Sequence, residues 1–242
     1  MIDSRKIQIL VSVTSPEEVA EAVAGGADIL DVKNPREGSL GAPQPHVVRA
    51  IREAAPAGFP VSVAIGDAPP LPGTMALAAL GAAACGADYV KIGLYGPADP
   101  ASAEAMVGAV CRAVRSVSPE ARIMVAGYAD GEPRGCLKVR DLPGAASRGG
   151  ADGCMIDTLA KGEENLFSFM DVDTLRDFLE RCSELGLRSA LAGRLNAAHA
   201  PLLRELQPDI AGFRSAVCGG DRAGGKVDAE SVRRLQNLLN PD

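Results

Sequence analysis

The chain has 242 residues and a formal net charge of −6, from 31 acidic and 25 basic side chains interspersed along it. That balance offers no basic surface for nucleic acid. No apolar leader core follows Met1 and no long apolar run reads as a membrane span, so the expectation is a cytoplasmic protein with no membrane partner. Apolar residues reach 47% with 3% aromatics and no Trp, which suits closely packed helices on a parallel sheet buried on both faces.

In chain order, strand 1 is predicted at 7–13, and helix 1 opens at Ser15-Pro16-Glu17-Glu18, an N-cap with Pro and acids in the first turn. Strand 2 follows at 29–33 and helix 2 at 45–54. Strand 3 covers 60–65, and an Ala-rich helix 3 covers 74–85. Strand 4 at 89–94 leads to helix 4 at 102–116, and strand 5 at 122–128 to helix 5 near 139–148. Strand 6 at 153–157 precedes helix 6 at 172–185. Strand 7 at 188–192, helix 7 at 197–206, strand 8 at 210–214 and helix 8 at 228–239 complete the chain.

One phrase punctuates this order. Gly-Ala-Asp stands at 26–28, 86–88 and 150–152, with a worn copy, Gln207-Pro208-Asp209, and an apolar run follows each. The copies lie about 60 residues apart, so one βα unit takes about 30 residues and eight units fill the chain. The fold class is therefore a (β/α)8 barrel, a single domain over residues 1–242. The Ala-rich helix 3 offers a small-residue face for packing between subunits of a homo-oligomer.

Asp31, Lys33, Lys91, Asp157 and Arg214 stand at the third or fifth position after the Asp that opens each even strand. Side chains alternate across a strand, so all five share a parity and face the barrel interior near the C-terminal ends. Their neighbours Val32, Val90, Ile92, Ile156 and Phe213 suit the layer beneath the helices. Polar residues at that end of this fold read as catalytic. A salt-bridge network bracing the barrel is the structural alternative.

Lysines near one another in apolar surroundings are driven toward the neutral, nucleophilic amine, which attacks a carbonyl to form a Schiff base. Lys91, mid-strand and most enclosed, is the choice for the imine. Asp31 with Lys33, and Asp157 with Lys161 on the following loop, are candidate proton-transfer pairs. A phosphate site is expected from the loops after strands 7 and 8, at Gly193, Arg194, Gly219 and Gly220, with charge from Arg194, Arg214 or Arg222. The loop 34–41 after strand 2 reads either as a plain connection or as a mobile cover. The six cysteines form no Cys-x-x-Cys pair, and with two histidines no metal site is expected.

Asp31-Val-Lys33-Asn-Pro-Arg-Glu-Gly-Ser-Leu-Gly-Ala42, Tyr89-Val-Lys91-Ile-Gly-Leu-Tyr-Gly96, Ala126-Gly-Tyr-Ala-Asp130, Ile156-Asp-Thr158 and Ala190-Leu-Ala-Gly193 resemble the (5-formylfuran-3-yl)methyl phosphate synthase family of methanofuran biosynthesis. The resemblance runs through essentially the whole chain. It implies a lyase resembling class I aldolases that joins two glyceraldehyde 3-phosphate molecules into a furan aldehyde, with loss of phosphate and water. It also implies that Lys91 forms the Schiff base, and that Asp31, Lys33, Asp157 and Lys161 serve as the other acids, bases and phosphate-binding groups. The partners implied are phosphorylated trioses. No cofactor is required, because the iminium is itself the electron sink. Two alternatives remain. A phosphate-sugar decarboxylase barrel also uses Asp-x-Lys on strand 2, but wants an Asp where this chain has Arg36. A barrel that only binds a phosphorylated metabolite is the non-enzyme alternative.

Overall fold

Eight parallel strands close on themselves in sequence order, and the last pairs with the first from Gln8↔Ile210 to Val11↔Phe213. They are β1 (Gln8–Val13), β2 (Ile29–Val32), β3 (Val61–Ala68), β4 (Tyr89–Leu94), β5 (Arg122–Tyr128), β6 (Gly153–Asp157), β7 (Arg188–Leu191) and β8 (Ile210–Phe213). The computed structural model describes residues 6–160 and 162–241. Among the described residues the helices are α1 (Val19–Ala24), α2 (Pro45–Ala54), α3 (Pro72–Ala84), α4 (Pro100–Arg115), α5 (Leu142–Gly149), α6 (Leu166–Phe169), α7 (Val172–Glu184), α8 (Ala200–Leu206) and α9 (Ala229–Leu239). The chain is a (β/α)8 barrel. None of the described helices is long and apolar enough to cross a membrane.

The sequence reading lacks α6, a single turn capped by Asn165, whose side chain accepts the Phe167 N–H. One turn carries too little periodicity to be seen. Helix 4 begins earlier than expected, because Asp99 caps it by accepting the Ser102 N–H with Pro100 behind it. Strands β2 and β8 end one residue short, at Val32 and Phe213.

Strand alternation sorts the core into two layers. Val32, Val90, Ile92, Ile156 and Phe213 join the large cluster beneath the helices. Leu10, Ile29, Tyr89, Met124, Met155 and Ile210 fill the barrel itself. All six cysteines are buried and unpaired by disulfide.

The repeated Asp has a structural duty at the N-terminal end. Asp28, Asp88, Asp152 and Asp209 each accept, at 2.8 Å, the backbone N–H of Ile9, Val61, Ile123 and Ser189 respectively. Each carboxylate thus ties an even strand to the odd strand before it, which explains why the phrase appears once in every two units. The glycine two residues earlier ends the helix in a left-handed conformation, with φ of 92° at Gly26, 90° at Gly86 and 83° at Gly150. In the worn copy Gln207 takes that role at φ 52°.

Candidate active site

The C-terminal end of the barrel is half filled. Leu40, from the loop after β2, is fully buried in the inner layer beside Tyr128. Its N–H donates to Asp67 Oδ2 at 2.9 Å, and the Tyr128 hydroxyl donates to Asp67 Oδ1. Burial and then the Asp67 carboxylate push the Tyr128 phenol well above its ordinary value, so it stays a neutral donor. Ser39, also buried, donates to the Thr158 carbonyl at 2.8 Å. The loop after β2 is therefore strapped to β3 and to the loop after β6, over the β3–β5 side of the mouth. Gly93 matches this crowding: a Cβ there would stand 2.0 Å from the Tyr128 oxygen and 2.9 Å from Leu40.

The other half holds a cavity that opens to the mouth. Its floor is made by Leu10 and Met155, and its walls by Ser12, Asp31, Lys33, Lys91, Asp157, Thr158, Gly193 and Arg222. Asp31, Lys33, Lys91 and Asp157 are thus brought together on one cavity. Lys161 lies outside the described residues, although its neighbours Ala160 and Gly162 line the same cavity.

Asp31 is completely buried, and an isolated carboxylate there would cost several kcal/mol. It has four hydrogen bonds instead. Lys91 Nζ donates to both oxygens at 2.7 Å, Ser62 donates to Oδ1 at 2.9 Å and Ser12 to Oδ2 at 3.1 Å. The serines reach it because Ser12, Asp31 and Ser62 share one row of register across β1, β2 and β3. Burial raises the Asp31 value, but the charges of Lys91 and Lys33 and the bonds from Lys91 and Ser62 outweigh it. The net direction is down, and the carboxylate is ionised. Ser12 and Ser62 escape the sequence reading, since their role depends on register rather than on any local pattern.

Lys33 follows the end of β2, two residues nearer the mouth than Asp31, and is largely buried. Asp157 ends β6, accepts the Thr158 N–H at 2.7 Å and is 4% exposed. The loop it leads into is held by Asp130, which accepts the Leu159 and Ala160 N–H groups at 2.6 and 2.8 Å.

The expected phosphate residues separate. Gly193 lines the cavity, but its φ of 103° and the 2.8 Å that would part a Cβ from Thr158 already account for glycine there. Arg194 lines the cavity too, exposed, and donates to the Gly162 carbonyl. Gly219 and Gly220 are exposed, stand in left-handed conformations and are not part of the cavity wall. Arg214 is spent on protein partners. It donates to both oxygens of Glu18 at 2.9 Å and to the carbonyls of Ser12, Arg222 and Gly225. Arg214 still lines the cavity, as the alternation expects, although β8 stops at Phe213 and its backbone turns with φ −134° and ψ −67°. Arg222 does line the cavity. Burial lowers its value while the carboxylates of Asp157 and Asp67 oppose, and a guanidinium stays charged regardless.

A family model described as 4-HFC-P synthase matches residues 9–236. The chain is 45% identical over 231 residues to the (5-formylfuran-3-yl)methyl phosphate synthase of Methanocaldococcus jannaschii, covering 95% of this chain and 98% of that one. Identity to the protein of the same name from Methanothermobacter thermautotrophicus is 45% over 233 residues, covering 96% and 98%. Among solved structures, 3-hexulose-6-phosphate synthase from Salmonella typhimurium matches with a TM-score of 0.66 at 17% identity, covering 96% of this chain and 98% of that one, a likeness of fold alone.

Proposed function

This chain belongs to the 4-HFC-P synthase family, and on that premise we propose that it condenses two molecules of glyceraldehyde 3-phosphate into (5-formylfuran-3-yl)methyl phosphate through a lysine imine. The carrying observation is the pair of cavity lysines around one ionised, buried aspartate.

The geometry favours a division of labour between the two amines that differs from the one read in the sequence. Lys91 Nζ donates to both oxygens of an ionised carboxylate at 2.7 Å, a buried ion pair that would have to break before the amine could attack. Lys33 stands nearer the mouth on the same strand face and reaches the same cavity. We assign the imine to Lys33 and proton delivery to Lys91, steered by Asp31.

One triose, as its ketone isomer, loses its carbonyl oxygen as water when the Lys33 imine forms, and the Lys91 ammonium supplies the proton. Asp157 then removes the proton on the central carbon of the second triose, whose phosphate leaves from the neighbouring carbon, giving an enol. The terminal carbon of that enol bonds to the iminium carbon of the first triose. The free hydroxyl of the first triose closes the ring on the central carbonyl of the second, and loss of a second water and of the Lys33 amine aromatises the furan. These steps need several proton carriers in one pocket, which fits the Asp31, Lys33, Lys91 and Asp157 cluster.

The test is to incubate the purified protein with glyceraldehyde 3-phosphate alone, following furan absorbance in the ultraviolet together with release of inorganic phosphate. The proposal expects both to rise together. Phosphate release without a furan chromophore, or neither signal, contradicts it.

A further inference from the structure

The buried ion pair of Glu18 and Arg214 has no part in the chemistry above, yet its Arg214 lines the cavity. Glu18, in the turn after β1, accepts the Thr14 N–H at 2.7 Å and the Val227 N–H at 3.1 Å. Arg214 donates to the Arg222 carbonyl through Nε at 3.0 Å and to the Gly225 carbonyl through Nη2 at 2.7 Å. The loop between β8 and α9 is therefore pinned at residues 222, 225 and 227 by one buried pair. Two of its cationic side chains line the cavity: Arg214, whose donors are already engaged, and Arg222, whose Nη2 reaches the Gly38 carbonyl at 3.3 Å across the mouth.

A cation whose backbone is fixed in this way loses little freedom when it meets an anion. Arg214 has its own donors engaged, and Arg194 is exposed and bonded to Gly162. We propose that Arg222 receives a phosphate group of the substrate, and that Glu18 and Arg214 are positioning residues that act through it. A planar guanidinium suits a phosphate through paired N–H donors, and in the cavity it offsets the neighbouring Asp157 carboxylate. The inference rests on the reading that the cavity takes a phosphorylated triose.

Calorimetric titration with inorganic phosphate tests it without turnover, and steady-state kinetics with glyceraldehyde 3-phosphate adds a second readout. Arg222→Ala is expected to weaken phosphate binding about tenfold or more and to raise KM by a similar factor, a loss of the order seen for a charged hydrogen-bond partner. Arg222→Lys is expected to fall between, since it keeps charge without the fork. Glu18→Gln is expected to weaken phosphate binding in the wild-type background but to add nothing to Arg222→Ala, because it acts through that side chain. Wild-type phosphate affinity in Arg222→Ala, or additive losses in the double variant, overturns the assignment. Phosphate held through Arg222 by a protein that makes no furan would keep this inference and remove the synthase reading. Furan formation with unchanged KM in Arg222→Ala would do the reverse.

Discussion

At the scale of single residues, the site turns on keeping a carboxylate charged where no water reaches it. Asp31 manages this with two serines and one lysine, and its acidity is held below the ordinary aspartate value. A depressed value stabilises the fold above the unfolded-state pKa, and that stability is lost as pH falls through the folded value. An unfolded aspartate titrates near 3.9. The wild type is therefore expected to hold its Tm down to about pH 4 and to lose it steadily below, through the acid range. Asp31→Asn is expected to be less stable at neutral pH, leaving Lys91 buried without its counter-charge, but to show a shallower acid decline. Thermal melts of both proteins across pH 2 to 7, an experimental range chosen around that value, check it. A parallel acid decline in the two proteins would contradict the pairing.

At the scale of elements, the Gly-Ala-Asp joint couples strands in pairs, and it acts at the end of the barrel away from the cavity. Asp88 accepts the Val61 N–H and the Arg52 guanidinium. Replacing it with Ala strands a partly buried N–H and is expected to cost about 1–3 kcal/mol. Urea unfolding should show a lower midpoint with an unchanged slope, and furan formation should continue at the wild-type rate at moderate temperature. The same elements show how far the sequence can be read. Alternation within β2, β4 and β6 is local, so Asp31, Lys91 and Asp157 could be aimed at the barrel interior from sequence alone. The Ser12–Asp31–Ser62 row needs cross-strand register, and the Leu40–Asp67–Tyr128 plug needs a loop to fold back across the mouth. Neither is written in any stretch of consecutive residues. Lys33 and Arg214 each follow the last residue of their strand, and both still line the cavity as alternation expects.

At the scale of the whole molecule, the closed ring supplies rigidity and one end supplies chemistry. The β3–β5 side of the mouth is sealed by a strapped loop, and the open side gathers Lys33, Lys91, Asp31, Asp157 and the arginines Arg194, Arg214 and Arg222. Amines, carboxylates and guanidinium groups on one cavity are the materials that the proposed imine sequence on phosphorylated trioses needs. The eightfold rhythm was readable from the spacing of Asp28, Asp88, Asp152 and Asp209, while the proposal of Lys33 over Lys91 rests on the Asp31 contacts, which no local pattern carries. The account is tested most directly by borohydride reduction of the protein with glyceraldehyde 3-phosphate, followed by peptide mass mapping. It predicts a reduced triose adduct on Lys33; an adduct on Lys91 would contradict the assignment of the two amines, and no adduct on any lysine would contradict the imine itself.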